Sequence, residues 1–109
     1  MAIKFLNIEK VLDIHKAQIE NFGGSKGLKD LSLLKSAIKS VKEVAVNKNK
    51  NESLYEIASS YIFHIVKNSP FIDGNKRVGL HSALVFLYLN GIKVETEDEL
   101  LVELLKNSI

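Results

Sequence analysis

The chain has 109 residues, 46% of them hydrophobic and 26% charged, with a net charge of +2 and no cysteine. This size allows one domain with a modest core, and the lack of cysteine excludes disulfides, thiolate metal sites and a cysteine nucleophile. The weak charge does not indicate a nucleic-acid partner, and no apolar run has the length of a signal-peptide core or a membrane span, so we expect a cytoplasmic protein without membrane contact.

The first predicted helix covers residues 8 to about 21. Asn7 is placed to cap it, and apolar side chains recur every three or four positions: Ile8, Val11, Leu12, Ile19 and Phe22. The glycine-rich run 23–27 then ends the helix. Such loops can cradle phosphate, but this one lacks a preceding strand and the Gly-Lys-Ser/Thr ending, which favours a helix-terminating loop.

A second helix is predicted from Asp30, as its N-cap, to about Val46, and a third from Ser53 to about Asn68. Ser53 and Glu56 form the pattern of a capping box. The polar run 47–52 contains alternating lysines without an aromatic or arginine, so a solvated loop is a better interpretation than a nucleic-acid contact. The positions predicted to be buried in these two helices are Leu31, Leu34, Ala37, Ile38, Val41, Ala45, Leu54, Ile57, Ala58, Tyr61, Ile62 and Ile65.

The fourth predicted helix, residues 75 to about 90, is apolar on nearly every side after its first turn, which indicates a central helix covered by the others. Gly91 is expected to end it. Residues 92–95 alternate in polarity and predict a short strand paired with residues 3–5, and residues 97–106 predict a last amphipathic helix. The expected fold is therefore all-α, a single domain over residues 1–109, with at most a minor short β pairing.

Residues 69–77, Ser-Pro-Phe-Ile-Asp-Gly-Asn-Lys-Arg, are the most informative stretch. Lys76 and Arg77 stand in the first turn of the fourth helix, where free N–H groups already carry partial positive charge, so a phosphate is a natural partner. Asp73 can cap the helix or hold Mg²⁺ beside phosphates. The alternative is an Asp-Gly turn, an Asn75 N-cap and two solvated cations, and spacing alone does not separate the two interpretations.

These residues resemble the motif of the Fic/Doc superfamily, His-Pro/x-Phe-x-Asp/Glu-x-Asn-Gly/Lys-Arg, and specifically its death-on-curing (Doc) toxins. Residues 70–77 match it, and Lys76 is the Doc form where most Fic adenylyltransferases have glycine. Fic enzymes have a second arginine at the position of Leu80. Its absence here is also usual in Doc-like members. The resemblance implies a compact helical bundle around a central helix. It extends over residues 8–93 through further Doc-like landmarks: Ile14-His15, Phe22-Gly23-Gly24, Gly27-Leu28, the run 82–87 and Asn90-Gly91.

Ser69 departs from the pattern, because it occupies the place of the motif histidine that activates the target hydroxyl. A serine hydroxyl is not basic near neutral pH, whereas an imidazole titrates there, and losing a positioned base costs about 10²–10⁴ in rate. No neighbouring base is placed to turn Ser69 into a nucleophile. We therefore expect Ser69 to disable or attenuate transfer.

By resemblance, the chain is an ATP-dependent transferase that modifies a protein hydroxyl, with phosphorylation of elongation factor Tu and a block of translation as the outcome. Two alternatives remain open: an adenylylating Fic-type enzyme, or a catalytically inactive module that only engages antitoxin or target. Doc toxins are neutralised by a small antitoxin protein, the expected partner, and usually carry more sequence after residue 106, so the chain is expected to be short at its C-terminus. The expected site residues are Gly74, Asn75, Lys76 and Arg77 for phosphate, Ser69, Asp73 and Lys76 for catalysis, Asp73 for Mg²⁺, and Phe71 as the buried anchor.

Three histidines invite a metal or catalytic interpretation. His15 is predicted to be structural or to line the site, and His64, five residues before Ser69, points elsewhere and cannot replace the missing base. His81, one turn after Arg77, is interpreted as a hydrogen-bonded core residue. No histidine pair has the spacing of a zinc site on one helix.

Overall fold

Four helices make up the described part of the chain, residues 3–46 and 54–94 of a computed structural model. They are α1 (Ile8–Phe22), α2 (Leu31–Val46), α3 (Leu54–Asn68) and α4 (Asn75–Leu89). The predicted all-α fold is confirmed, since the only β pairing among the described residues is an isolated antiparallel bridge between Leu28 and Phe71. No helix in these two ranges is long and apolar enough to cross a membrane.

The ends of the first two helices follow their predicted caps. Asn7 Oδ1 accepts the backbone N–H of Lys10 at 2.8 Å, and Asp30 Oδ1 accepts that of Ser32 at 2.9 Å. Each bond satisfies one of the backbone donors that a helix leaves unpaired at its start. Ser53 of the predicted capping box, the polar run 47–52 and the predicted helix 97–106 lie outside the described residues.

The predicted central helix α4 packs mainly on α3 and also on α1, while α2 packs mainly on α3. Its buried side chains include Phe86, whose ring lies 5.3 Å from that of Tyr61 on α3. The Tyr61 hydroxyl accepts the backbone N–H of Leu6 at 2.9 Å, which ties the N-terminal segment to the core. Burial raises the pKa of Tyr61 to about 12, because the low-polarity core disfavours the phenolate.

Some positions predicted to be buried are not. Leu31, the first residue of α2, is 41% exposed, and Phe22, which ends the predicted apolar stripe of α1, is 62% exposed. Ala45, near the end of α2, and Leu54 and Ile62 of α3 are half-buried. The predicted core positions Leu34, Ala37, Ile38 and Val41 are confirmed, as are Ile57, Ala58, Tyr61 and Ile65.

The predicted pairing of residues 3–5 with residues 92–95 does not form a strand in the described part, and Glu95 lies outside it. A side chain takes the place of the expected ladder. Asn90, just after α4, accepts the backbone N–H of Lys4 at 2.9 Å and donates to its carbonyl at 2.8 Å. An amide carries both a donor and an acceptor, so it satisfies the two groups that a neighbouring strand would otherwise bond.

Candidate functional site

The motif loop, residues 69–74, connects α3 to α4 and begins at a strained residue. Ser69 has a φ of +46°, in the left-handed region that side chains other than glycine seldom adopt. Its backbone N–H bonds to Ile65 O and its hydroxyl donates to Val66 O, both at 2.9 Å. Ser69 therefore ends α3 with its hydroxyl turned to the helix backbone, and its strain is held in place by the fold around it.

A short segment of the loop between α1 and α2 lies against the motif loop. Pro70 O accepts the backbone N–H groups of Lys29 at 2.7 Å and Asp30 at 3.1 Å, and Gly27 O accepts that of Ile72 at 3.1 Å. Together with the bridge at Phe71, these bonds pair residues 27–30 with residues 70–72. The motif loop is thus held by hydrogen bonds between backbone atoms. These bonds do not depend on which side chains the motif carries.

Phe71, in the motif loop, is only 1% exposed, so its ring is buried as expected, and its role as the anchor of the motif stays a prediction. Asn75, in the first turn of α4, accepts the N–H of Phe71 at 3.0 Å and donates to its carbonyl at 2.9 Å. The Asn75 side chain is therefore occupied inside the loop. Any contact of Asn75 with a phosphate would come from its backbone N–H. Lys76 and Arg77 could instead contact a phosphate through their side chains.

His15 of α1 is closer to the site than the sequence indicated. Its ring stacks on Phe71 with centroids 4.0 Å apart and planes 7° from parallel, and its Nε2 lies 3.0 Å from Asp73 O. Because a carbonyl oxygen can only accept, Nε2 carries the hydrogen. His15 is only 6% exposed. Its ring supports Phe71, and its Nε2–H supports the backbone of Asp73. The prediction of a structural or site-lining histidine is confirmed.

The Asp73 carboxylate is exposed and is oriented by two backbone donors. Oδ1 accepts the N–H of Gly74 at 2.9 Å, and Oδ2 accepts that of Ser25 at 3.1 Å. Gly24 has a φ of +119°, and a Cβ there would lie 2.9 Å from Asp73 Oδ2, so only glycine fits. The glycine-rich run ends α1 as predicted, with Gly23 N–H bonding to Ile19 O, and it also holds the motif acid.

A cleft of about 550 Å³ opens at the start of α4. The N-cap is Gly74 rather than Asp73 or Asn75, and no side chain caps this helix end, which leaves its first turn facing the cleft without a side-chain acceptor. Phe71 lies beneath it. The predicted site residues are brought together among the described residues that line the cleft: Val66, Ser69, Ile72, Asp73, Gly74, Asn75, Lys76, Arg77 and Leu80.

The two motif cations differ in how they are held. Lys76 is exposed, whereas the half-buried Arg77 is supported by α1. Arg77 Nε donates to Gln18 Oε1 at 3.2 Å, and Arg77 Cζ lies 4.0 Å from the centre of the Phe22 ring. Sequence reasoning missed Gln18, and it placed Phe22 in the apolar stripe of α1 and among the Doc-like landmarks without a role in the site. The i, i+4 spacing of these two residues on α1 is the only sequence signal that relates them.

A magnesium ion fits this cleft only as a partner of a phosphate ligand. Among the described residues, no cluster of three or more His, Asp or Glu side chains could form a complete cage. Mg²⁺ is commonly held by one or two carboxylates together with water and substrate phosphates. The single oriented carboxylate of Asp73, beside a helix start with two cations, matches that donor set.

None of the three histidines is among the described residues that line the cleft. His81 is half-buried on α4, and the His64 ring meets Phe63 edge-on at 5.0 Å. Burial is the largest factor that lowers the pKa of His64, and the charge of Lys67 lowers it further, while Glu43 acts in the opposite direction. His64 therefore favours its neutral form more than a free histidine does, without reaching Ser69 as a base.

We expect the free energy of unfolding to fall as the pH drops below about 6.5, the ordinary histidine pKa, because the unfolded chain then binds a proton at His64 more readily than the folded chain does. Urea unfolding at pH 7.5 and pH 5.5, for the chain and for His64→Gln, measures this contribution. The loss on acidification should be smaller in the variant. A His64 ring that titrates in NMR at or above 6.5 would contradict the prediction.

Comparison with known proteins gives a consistent result. The model of the Fic/DOC family matches residues 5–87. The chain is 31% identical over 98 residues to a protein of Escherichia phage P1 named "Protein kinase doc", covering 90% of this chain and 77% of the relative. It is 26% identical over 76 residues to "Toxin Doc" of Mycolicibacterium smegmatis, covering 70% of this chain and 58% of that relative. The family match spans all of α1 to α3 and most of α4, including the cleft. The chain belongs to the Fic/DOC family.

Proposed function

We propose that this chain is a Doc-like toxin of a toxin–antitoxin module, a protein kinase scaffold that uses ATP and Mg²⁺ and is impaired at Ser69. The proposed target is a hydroxyl group of elongation factor Tu, and modification there would block translation. The observation that supports this most is the cleft at the uncapped start of α4, which Lys76 and Arg77 line together with Asp73 and its oriented carboxylate. The names of the two relatives support the kinase and toxin assignments.

Phosphate recognition rests on charge and on backbone donors. The helix start offers free N–H groups and the positive end of the helix dipole, and Lys76 and Arg77 add two full charges. The volume of about 550 Å³ is within the range of small-molecule sites. Leu80, at the place of the second Fic arginine, adds an apolar wall to the cleft. One arginine and one lysine would therefore carry the side-chain contacts to the phosphates.

In the proposed reaction the target hydroxyl attacks the γ-phosphorus, the bond from that phosphorus to the β–γ bridging oxygen breaks, and ADP leaves. Catalysis of this kind depends mainly on positioning and charge stabilisation. Mg²⁺, when bound, neutralises phosphate charge. In this chain Asp73 would hold the ion, and Arg77 and Lys76 would orient the phosphates.

The group that this chain lacks is a base to take the hydroxyl proton, which would have to pass to water instead. Ser69 stands at the motif histidine position, and its hydroxyl donates to Val66 O at 2.9 Å. This arrangement supports a second candidate, a module that binds nucleotide, antitoxin or target without transfer. Both candidates share the phosphate cleft and differ only in whether a base restores chemistry. The proposed antitoxin partner would be a small protein that engages the toxin surface.

Isothermal titration of the chain with ATP, with and without Mg²⁺, tests the shared part of the proposal. We expect binding that Mg²⁺ strengthens, and Asp73→Asn should remove most of that strengthening while leaving Mg²⁺-free binding in place, because the substitution removes the carboxylate charge that attracts the ion. Asp13→Asn, an exposed acid of α1 that does not line the cleft, is the matched control. A chain that binds no ATP under either condition overturns the proposal.

A further inference from the structure

The side chain of Arg77 is held by α1, a helix that contributes none of the described residues lining the cleft. We infer that Phe22 and Gln18 are positioning residues that fix the plane of the Arg77 guanidinium for contact with a phosphate at the start of α4. This inference rests on the proposed function. It assigns a role in the site to a part of α1 that carries no motif residue.

Phe22 is the clearest indication of this role. It is 62% exposed at the last position of α1, so it contributes little to the core. Its ring nevertheless lies against the guanidinium, 4.0 Å from Cζ. A guanidinium packs well on an aromatic face, and this contact fixes the tilt of its plane. The contact with Arg77 explains why a phenylalanine occupies this exposed position.

Gln18 fixes the same plane from a second direction. It is only 8% exposed, and its Oε1 accepts the Arg77 Nε–H at 3.2 Å. Gln18 and Phe22 are four residues apart on α1 and so lie on one helical face. The hydrogen bond at Nε restricts rotation of the guanidinium within its plane, and the Phe22 ring restricts tilt of that plane. Either contact alone would leave the other motion free.

A fixed plane matters because arginine binds phosphate best through two parallel N–H bonds, which need a defined orientation. An arginine that is already ordered loses less side-chain entropy when the ligand arrives. Lys76 is exposed, receives no comparable support from the residues that the structure describes, and acts as a point charge, for which orientation matters less. The two motif cations are thereby assigned different tasks, with Arg77 responsible for geometry and Lys76 for charge.

The test compares Phe22→Ala, Phe22→Tyr and the unchanged chain in the affinity for ATP with Mg²⁺. We expect about a tenfold weaker affinity for Phe22→Ala, the scale typical of losing a supporting residue behind a binding group. Phe22→Tyr keeps the aromatic face and should bind like the parent. The matched control is Phe63→Ala, because Phe63 is 58% exposed, lies 5.6 Å from a cation at Lys67 and is outside the cleft.

A second measurement reads the position of the arginine directly. The Arg77 Nε–H signal in ¹⁵N NMR should show increased side-chain motion in Phe22→Ala without nucleotide and remain unchanged in Phe63→Ala. If the parent binds ATP and Phe22→Ala binds equally well with an unchanged Arg77 signal, the inference fails and the proposed function stands. If the parent binds no ATP, the proposed function fails and the inference falls with it.

Discussion

Replacing Ser69 by histidine is expected to raise the rate of phosphoryl transfer to elongation factor Tu by about 10²–10⁴, the contribution of a positioned general base. The backbone favours this change. Ser69 has a φ of +46°, and histidine is among the side chains found more often than others in that region. The substitution therefore restores a base without adding backbone strain. Transfer is measured with ATP labelled at the γ-phosphate, in the presence of Mg²⁺.

The position of the label and a second variant separate the possible outcomes. Ser69→Ala lacks both a base and a hydroxyl and should be as slow as the parent, which excludes a direct role for the serine. Label from the α-phosphate instead of the γ-phosphate would assign the chain to the adenylylating branch of the family. If neither label is transferred by Ser69→His to elongation factor Tu while ATP still binds, the missing-base explanation fails for this target and the binding module is favoured.

Phe71→Ala is expected to lower the free energy of unfolding by about 3–5 kcal/mol, the usual cost of removing a buried phenylalanine ring. The ring is 1% exposed and stacks on His15, so its loss leaves a cavity and an unsupported imidazole. Small domains have a total stability of about 5–15 kcal/mol, so this single change removes a large part of it. Urea unfolding followed by far-UV circular dichroism measures the loss.

Phe63→Ala is the control for this change as well, since it removes the same side chain from an exposed position and should alter stability by no more than about 0.5 kcal/mol. Phe71→Leu keeps most of the volume and should remain folded even if the alanine variant does not. It should lose the stacking contact with His15 and show an intermediate stability. A loss below about 1 kcal/mol for Phe71→Ala would contradict the role of Phe71 as the anchor of the motif loop.

Much of the fold could be predicted because it depends on local patterns. The caps at Asn7 and Asp30 and the helical spacing of apolar residues are written in neighbouring positions, and the structure follows them. The predicted burial was wrong at Leu31, the first residue of α2. Leu31 and Phe22 continue their apolar stripes by spacing, yet both side chains are exposed. The spacing of apolar residues indicates on which face of a helix a side chain lies. It does not indicate whether a neighbouring helix covers that side chain.

The sequence indicates that the motif residues lie together, but it does not indicate which residues support them. Residues 69–77 are contiguous, and a loop followed by a helix brings them to one cleft. The supports come from far along the chain: His15 is 58 residues from Asp73, and Gln18 is 59 residues from Arg77. Such contacts depend on the way α1 crosses α4, which no local pattern specifies. The same holds for Gly24, whose need for glycine becomes apparent only when Asp73 is seen beside it.

The backbone pairing of residues 27–30 with residues 70–72 has a consequence for how this protein responds to a ligand. The motif loop is hydrogen-bonded to the residues just before α2, and its Phe71 ring stacks on His15 of α1. Opening the loop would therefore break contacts that also hold α1 and α2 in place. Occupancy of the cleft is then coupled to unfolding of the whole domain. A nucleotide or partner bound there would protect distant amide groups of α2 and α3 from hydrogen exchange, in proportion to its affinity and concentration.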